Sequence, residues 1–452
     1  MLNYKIKLIS HACVFIDLGE IKLITDPWLF GDCFNNGWSL KRNNLKVENI
    51  TDNELNSITH LWISHEHPDH FHIQSLKFII SKIKNISKIK VICKNDTRTS
   101  EDILKVLKVL GFKTFKTLNH LEKYDLNKKI SIRIYHHRHL DSALLVFDKN
   151  KPLIINLNDC EILPNECQYI RKRFGSFPLV LNQFSIAGFE GIYSERKLSL
   201  AKNTILQNMV NQHISLGAKT TIPFASFCWF SSKDNQFLNK WHNTLEDVWK
   251  HFNKKRLNIY CLEPPSELIK FEEIVSYKKA PQIKIIPIDS EAKYETIDTE
   301  KIISTIKKRL KELKTSSNSM LFQLFEKNII FFIKDISCLI DVNFRNIEVQ
   351  ILDKSTINEL KYMEINSQPL YFAFANTFGI QTLGVSGRFK FINYEKVPNI
   401  WKLIRILSSL DNNKTPLRLS SLLSFRLYKE LFNRRVVIFS QIFQQLKRFK
   451  NN

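Results

Sequence analysis

With 452 residues, 44% of them hydrophobic and 33 of them phenylalanine, the chain has material for more than one packed core, which excludes a disordered or single small-domain protein. A formal net charge of +23 favours anions in general, but the lysines are spread along the chain, so no polyanion is singled out and no nucleic-acid module is expected. Eight cysteines without a CxxC pair, an opening segment that already reads as a strand, and no apolar run long enough to span a bilayer exclude a disulfide framework and a membrane span, and imply a reducing, cytoplasmic setting.

In chain order, YKIKLIS, CVFIDL and IKLITD read as strands of an antiparallel meander, with Gly19-Glu20 turning between the last two. THLWIS has no polar alternation and reads as a strand buried on both faces. Ile73, Leu76, Ile79, Ile80 and Ile83 then recur at helical spacing. KVICK is a strand, SEDILKVLKVLGF a helix closed at Gly111, SIRIYHH a strand, and SALLVF with PLIINL a hairpin. A helix ends at Gly217, KTTIPF follows as a strand, and LNKWHNTLEDVWKHF reads as one more helix that includes His242. Strands interleaved with helices indicate an α/β domain, taken as residues 1–265. Irregular sequence over 266–300 reads as a linker. Residues 301–452 read as a smaller α+β domain ending in basic amphipathic helices, RLYKELFNRRVVIFSQIFQQLKRFK, that suit peripheral contact with an anionic membrane.

The chemistry concentrates in SHEHPDHFH, residues 64–72, between the buried strand and the next helix. Loops at strand ends are where side chains are both held and exposed. Imidazoles and carboxylates are ligands for zinc, iron or manganese. His65 and His67, two residues apart, point the same way in an extended segment. Asp69 and His70 lie where the chain turns into the helix and offer a second pair. Downstream, YHHRHLDSALLVF carries His136, His137 and His139 just before a strand, and INLNDC ends a strand at Asp159.

The H-x-H-x-D-H spacing, with a strand before and a helix after, resembles the motif of the metallo-β-lactamase fold. That resemblance implies an αββα sandwich and two divalent metal ions. His65 and His67 would hold the first and Asp69 and His70 the second, with Asp69 also orienting a catalytic water. Asp159 would bridge them, and the third histidine would be His139, with His137 close behind. Asp26, in TDPWL, would anchor the histidine loop from outside the ligand set. His11 either lines the site or caps a turn.

The stretches DPWLFGDCFNNGWSL, ISHEHPDHFHIQSLK, INLNDC, NQFSIAGFEG and IPFASFCWF, in this order, look like the catalytic domain of CMP-N-acetylneuraminate hydroxylase and its bacterial relatives. The resemblance implies a di-iron oxygenase acting on a sugar- or nucleotide-like anionic small molecule. Two features depart from that family. No Cys-x-His and Cys-x-x-His pair is present, so there is no intrinsic Rieske cluster and a separate electron-donor protein is implied. Ser232 stands near the place of the family's last histidine, and Ala225-Ser226 stand where the generic fold carries one, which leaves water or Asp234 to complete the second site. His213 and His242 fall in expected helices. Trp38, Phe184, Phe189, Phe227, Trp229 and Phe230 offer an aromatic wall for a sugar, base or acyl chain. Two alternatives compete with the oxygenase. One is a zinc hydrolase that attacks an ester, lactone or phosphodiester with metal-bound hydroxide. The other is a degenerate metal-binding protein. TFGIQTLGVSGRF, near the C-terminus, resembles the end of sterol-carrier-type domains.

Overall fold

The computed structural model describes residues 3–41, 50–96, 99–137, 141–276, 295–316 and 328–412. His139 and the basic segment from residue 413 onward lie outside the described residues.

The N-terminal part is built on two large sheets. The first has seven strands, ordered Ile269–Lys270, Lys5–Leu8, Val14–Leu18, Ile21–Thr25, His60–Trp62, Lys90–Lys94 and Thr114–Leu118. Its first strands form the expected meander, with Lys5 opposite Asp17 and Phe15 opposite Ile24. From Ile21–Thr25 onward the pairing is parallel. The second sheet runs Thr220–Phe224, Leu179–Gln183, Lys151–Asn158, Ser142–Asp148, Ile130–His136 and Tyr124–Asp125.

The period-2 alternation of strands assigns side chains to layers. Trp62 and Ile92 point inward and pack with Ile132, Leu144, Ile154 and Leu181 of the facing sheet. Leu61, Ile63 and Val91, one residue out of phase, point outward onto Leu76, Ile79, Ile103 and Leu107 of the helices Ile73–Lys82 and Thr99–Val109. On the second sheet Leu145, Ile155 and Val180 pack outward with Cys167 and Ile170 of the helix Pro164–Phe174. The result is a helix–sheet–sheet–helix sandwich. Because the parallel strands leave the same rim, the loops after Thr25, Trp62, Asn158, Gln183 and Phe224 converge there. The inner core also takes in Phe271 and Ile274, and Ile269–Lys270 pairs with Lys5–Leu8, so packing carries the first unit past residue 265.

One expected helix is two elements. Residues Gln236–Trp241 form a short 3-10 helix, and a separate helix, Leu245–Lys254, starts at Thr244, whose side chain accepts from the Asp247 N–H. This Thr-x-x-Asp box starts a helix by satisfying orphan amides. His242 therefore lies in the connection, not in a helix.

Residues 302–407 form a second core on a five-stranded sheet, with Ile306, Phe331, Ile340, Ile365, Phe374, Ile380 and Trp401 fully or nearly fully buried. This unit docks on the rim loops of the first. Asn235 Nδ2 donates to Ser386 O at 2.7 Å, Trp38 Nε1 to Val385 O at 3.2 Å, and Phe189 N to Gly384 O at 2.9 Å. A Cβ on Gly37 would sit 2.5 Å from the Cβ of Ser386, so the approach requires glycine. Arg388, fully buried, donates from Nε to both oxygens of Asp234 at 3.0 and 3.1 Å and from Nη1 to Asn35 O at 2.6 Å.

Removing one partner of such a pair leaves a buried charge uncompensated. Arg388→Ala is expected to lower the unfolding free energy by about 3 kcal/mol or more, read from urea midpoints. A shift below about 1 kcal/mol, the value of an exposed pair, would contradict this burial.

Candidate metal centre

The rim builds its site from five loops. Ile63 N pairs with Ile92 O, which ends the buried strand and turns residues 64–72 out over the rim. Asp26, at the end of Ile21–Thr25, sits with φ +33° and is fully buried. Its Oδ1 accepts from Ser64 N at 2.8 Å. Its Oδ2 accepts from Ser64 Oγ at 2.6 Å and from Asn158 Nδ2 at 2.8 Å, and lies 3.0 Å from His70 Nδ1. One carboxylate thus fixes the histidine loop against a strand end of the second sheet, and a proton held at His70 Nδ1 leaves Nε2 facing the site.

Two groups of donors result. In the first, His65, His67, Asp141 and Asp159 bring their ligand atoms within 4.8 Å of one another. His65 Nε2 lies 2.9 Å from His67 Nδ1, 3.5 Å from Asp159 Oδ2 and 4.0 Å from Asp141 Oδ1. In the second, His11, Asp69 and His70 are all buried, with Asp69 Oδ2 3.3 Å from His11 Nε2 and 3.2 Å from His70 Nε2. Asp159 Oδ2 also lies 3.6 Å from His70 Nε2, so this one oxygen stands between the groups. The first group is partly open to solvent and the second is closed behind it.

These spacings fit divalent ions. Donors about 2.1 Å from one ion, at tetrahedral angles, sit about 3.4 Å apart. Several atoms of the set have no hydrogen-bond partner among the described residues: His11 Nδ1, Asp69 Oδ1, His70 Nε2 and Asp159 Oδ1. Orphaned buried donors and acceptors are costly unless something else engages them.

The protonation states show the same crowding. Burial pulls His70 down, but the Asp69 and Asp159 carboxylates hold it well above an ordinary histidine. Burial pushes His65 well below, helped by the His70 and His67 imidazoles. Burial opposes ionisation of Asp69, yet His70 and His11 hold it well below the usual carboxylate range. Burial lifts Asp159 above that range, with His70 opposing and Asp69 reinforcing.

Other sequence candidates fall elsewhere. His137 joins neither group; it is buried with Nδ1 3.8 Å from Glu166 Oε1, on the far side of its strand end. Ser232 donates from Oγ to Asn36 O at 2.6 Å, and Asp234 is taken by Arg388, so neither completes a donor group. His213 lies against Thr221, its Nδ1 2.8 Å from Oγ1. Trp38 is buried with its ring 6.2 Å from His11. Ala225 N donates to His11 O at 2.8 Å, which sets the His11 loop beside the end of Thr220–Phe224.

Sequence reasoning missed Asp141, Asn158 and Ser64. Asp141 directly precedes the strand Ser142–Asp148, but the three histidines before it drew the assignment. Asn158 adopts φ +58°, a left-handed turn that aims its amide at Asp26 and places its neighbour Asp159 among the donor groups; only the Asn-Asp pair hinted at it.

If Asp26 orients His70 in this way, Asp26→Asn lowers metal affinity about 10- to 100-fold while far-ultraviolet circular dichroism stays unchanged. Competition against a chromophoric chelator reads the affinity. Unchanged affinity would contradict the orienting role.

Residues 5–163 match the family described as the beta-lactamase superfamily domain. The cytidine monophosphate-N-acetylneuraminic acid hydroxylase of Asterias rubens is 33% identical over 84 residues, 18% of this chain and 12% of the relative, so the chain spans only a small part of that protein. Among solved structures, CmlA, a diiron beta-hydroxylase from Streptomyces venezuelae, aligns at 15% identity over 60% of this chain and 54% of that one, with a TM-score of 0.41. The isothiocyanate hydrolase from Delia radicum gut bacteria aligns at 12% identity over 59% of this chain and 99% of that one, with a TM-score of 0.42. Residues 5–163 thus match a beta-lactamase superfamily domain, and the chain resembles cytidine monophosphate-N-acetylneuraminic acid hydroxylases over part of its length.

Proposed function

We propose that the protein is a two-metal oxygenase that hydroxylates an anionic, sugar- or nucleotide-like small molecule, with electrons supplied by a separate donor protein. The observation that carries this reading is the pair of donor groups that meet at Asp159 Oδ2. Asp159 would join the two ions, His65, His67 and Asp141 would complete one, and His11, Asp69 and His70 the other. Two imidazoles with two carboxylates form a harder donor set than the three imidazoles of many zinc sites, which favours iron. The aligned hydroxylase segment supports the same chemistry.

Bound irons would supply dioxygen activation. The balance is one substrate C–H bond, one dioxygen, two electrons and two protons to one C–OH and one water. The protein's own groups hold the geometry. Asp26, beside His70 Nδ1, orients the His70 ring, and Asp69 Oδ1, buried and without a hydrogen-bond partner among the described residues, is placed to accept a hydrogen bond. Trp28, Trp38, Phe34 and Phe230 exclude water behind the second group. Among the described residues no helix is long and apolar enough to cross a membrane. The same free Asp69 oxygen favours a second reading, a zinc hydrolase in which it orients the attacking water.

Anaerobically purified protein, assayed by elemental mass spectrometry, is expected to carry close to two irons per chain, lost in Asp159→Ala. It should consume dioxygen only when a reduced donor is present. Two zincs with turnover of an ester, lactone or phosphodiester would assign the hydrolase instead, and no metal above background would overturn both. A second variant tests the ligand set: His11→Ala is expected to reduce the content from about two metals to about one, since the second site would keep only Asp69, His70 and a carboxylate shared with the first.

A further inference from the structure

Outside the metal groups, a lysine and a histidine both lie against the Trp229 ring. Lys41 ends the strand Trp38–Leu40, and its N–H donates to Phe227 O at 3.0 Å, beside the Leu40–Cys228 pairing. This fixes the side chain over the Trp229 ring at 4.9 Å and near the Phe184 ring at 5.5 Å. Among the described residues no carboxylate lies within ion-pair distance of its ammonium. Burial lowers Lys41 to about 8, with Cys228, Glu263 and Asp247 weakly opposing. Asp247 is itself engaged by Lys202 at 3.1 Å.

His242 lies on the same tryptophan. Its ring centroid is 6.1 Å from that of Trp229 and 6.1 Å from that of Phe230. It is 4% exposed, and neither Nδ1 nor Nε2 has a hydrogen-bond partner among the described residues. The neighbouring Asn243 N–H donates to Ser185 Oγ at 2.8 Å instead. The charged groups that bear on the His242 ring are Lys41, His11 and Lys202, none of them an anion. Phe230 in turn packs on Trp38 at 5.8 Å, and Trp38 lies 6.2 Å from His11, so this face is connected to the second donor group through aromatic contacts.

A buried imidazole with no hydrogen-bond partner for either ring nitrogen among the described residues, near a half-buried ammonium with no counter-ion among them, is an expensive arrangement. Cation–π contact offsets part of the cost for Lys41 but nothing for the two ring nitrogens of His242. An acidic group between them would satisfy both with charge-assisted hydrogen bonds. We infer that Lys41 and His242 form a subsite for the acidic group, a carboxylate or a phosphate, of the small molecule that reacts at the metal centre, with Trp229 as the stacking face for its ring. The inference rests on the small-molecule reaction proposed above and names how that molecule is held.

The test uses the full-length protein, metal-loaded and chelator-stripped, titrated by calorimetry with inorganic phosphate, acetate, cytidine 5′-monophosphate and uncharged cytidine. Phosphate or acetate is expected to bind in both metal states, and whichever binds more tightly identifies the acidic group. Lys41→Met and His242→Gln should each weaken that binding about tenfold or more, with metal content unchanged, and Lys41→Arg should retain most of it. Cytidine should be indifferent to the charge substitutions. Anion binding that is equal in all variants, or that disappears when the metals are stripped, would overturn the subsite. If Lys41→Met loses its metals or its fold, His242→Gln and Lys41→Arg decide by the same criterion. Anion binding in a protein that takes up no metal, either as purified or on reconstitution, would refute the proposed reaction and leave the subsite standing, so the two failures are distinguishable.

Discussion

The site depends on one buried charge. Asp26 is fully enclosed, and its two oxygens meet Ser64 N, Ser64 Oγ, Asn158 Nδ2 and His70 Nδ1, from loops that belong to both sheets. A carboxylate removed from water in this way is tolerable only with its hydrogen-bond partners in place. That requirement couples the loop after His60–Trp62 to the end of Lys151–Asn158. The positions of His65, His67 and His70 on one side, and of Asp159 on the other, follow from the same contact.

The second constraint is the density of like groups around Asp159. Four imidazoles and three carboxylates share one rim, and the ionisation of His65, Asp69, His70 and Asp159 is displaced by burial and by neighbouring groups. Such a cluster is costly as an apo arrangement and favourable around cations, which is why it reads as a metal centre and not as a stabilising salt-bridge network. The C-terminal unit adds to this frame from outside. Through Arg388, Ser386 and Val385 it holds the loops that carry Asn35, Trp38 and Asn235, so the walls of the site depend on residues more than a hundred positions further along the chain.

Much of this was legible in the sequence where a local signal existed. The meander, the doubly buried strand, and the helices closed at Gly111 and Gly217 follow from period and capping, and the SHEHPDHFH loop from its spacing. What was not legible depended on tertiary placement. Asp141 looked like an ordinary residue before a strand and was overshadowed by His136, His137 and His139. His11 had no motif, and only tertiary placement brings its ring within 3.3 Å of Asp69. Apolar spacing through LNKWHNTLEDVWKHF suggested one helix, whereas the Thr244 cap breaks it and releases His242 into a connection. Asp234, read as a spare ligand, answers instead to an arginine 154 positions away.

The claim at the centre of this account is that Asp159 links two metal ions held by the two donor groups. Anomalous diffraction from crystals of metal-loaded protein, recorded above the iron and zinc edges, tests it directly. The account predicts two peaks about 3.5–4 Å apart, with Asp159 between them, His65, His67 and Asp141 around one and His11, Asp69 and His70 around the other. A single peak held by His65 and His67, with His11 turned away from any metal, would contradict it.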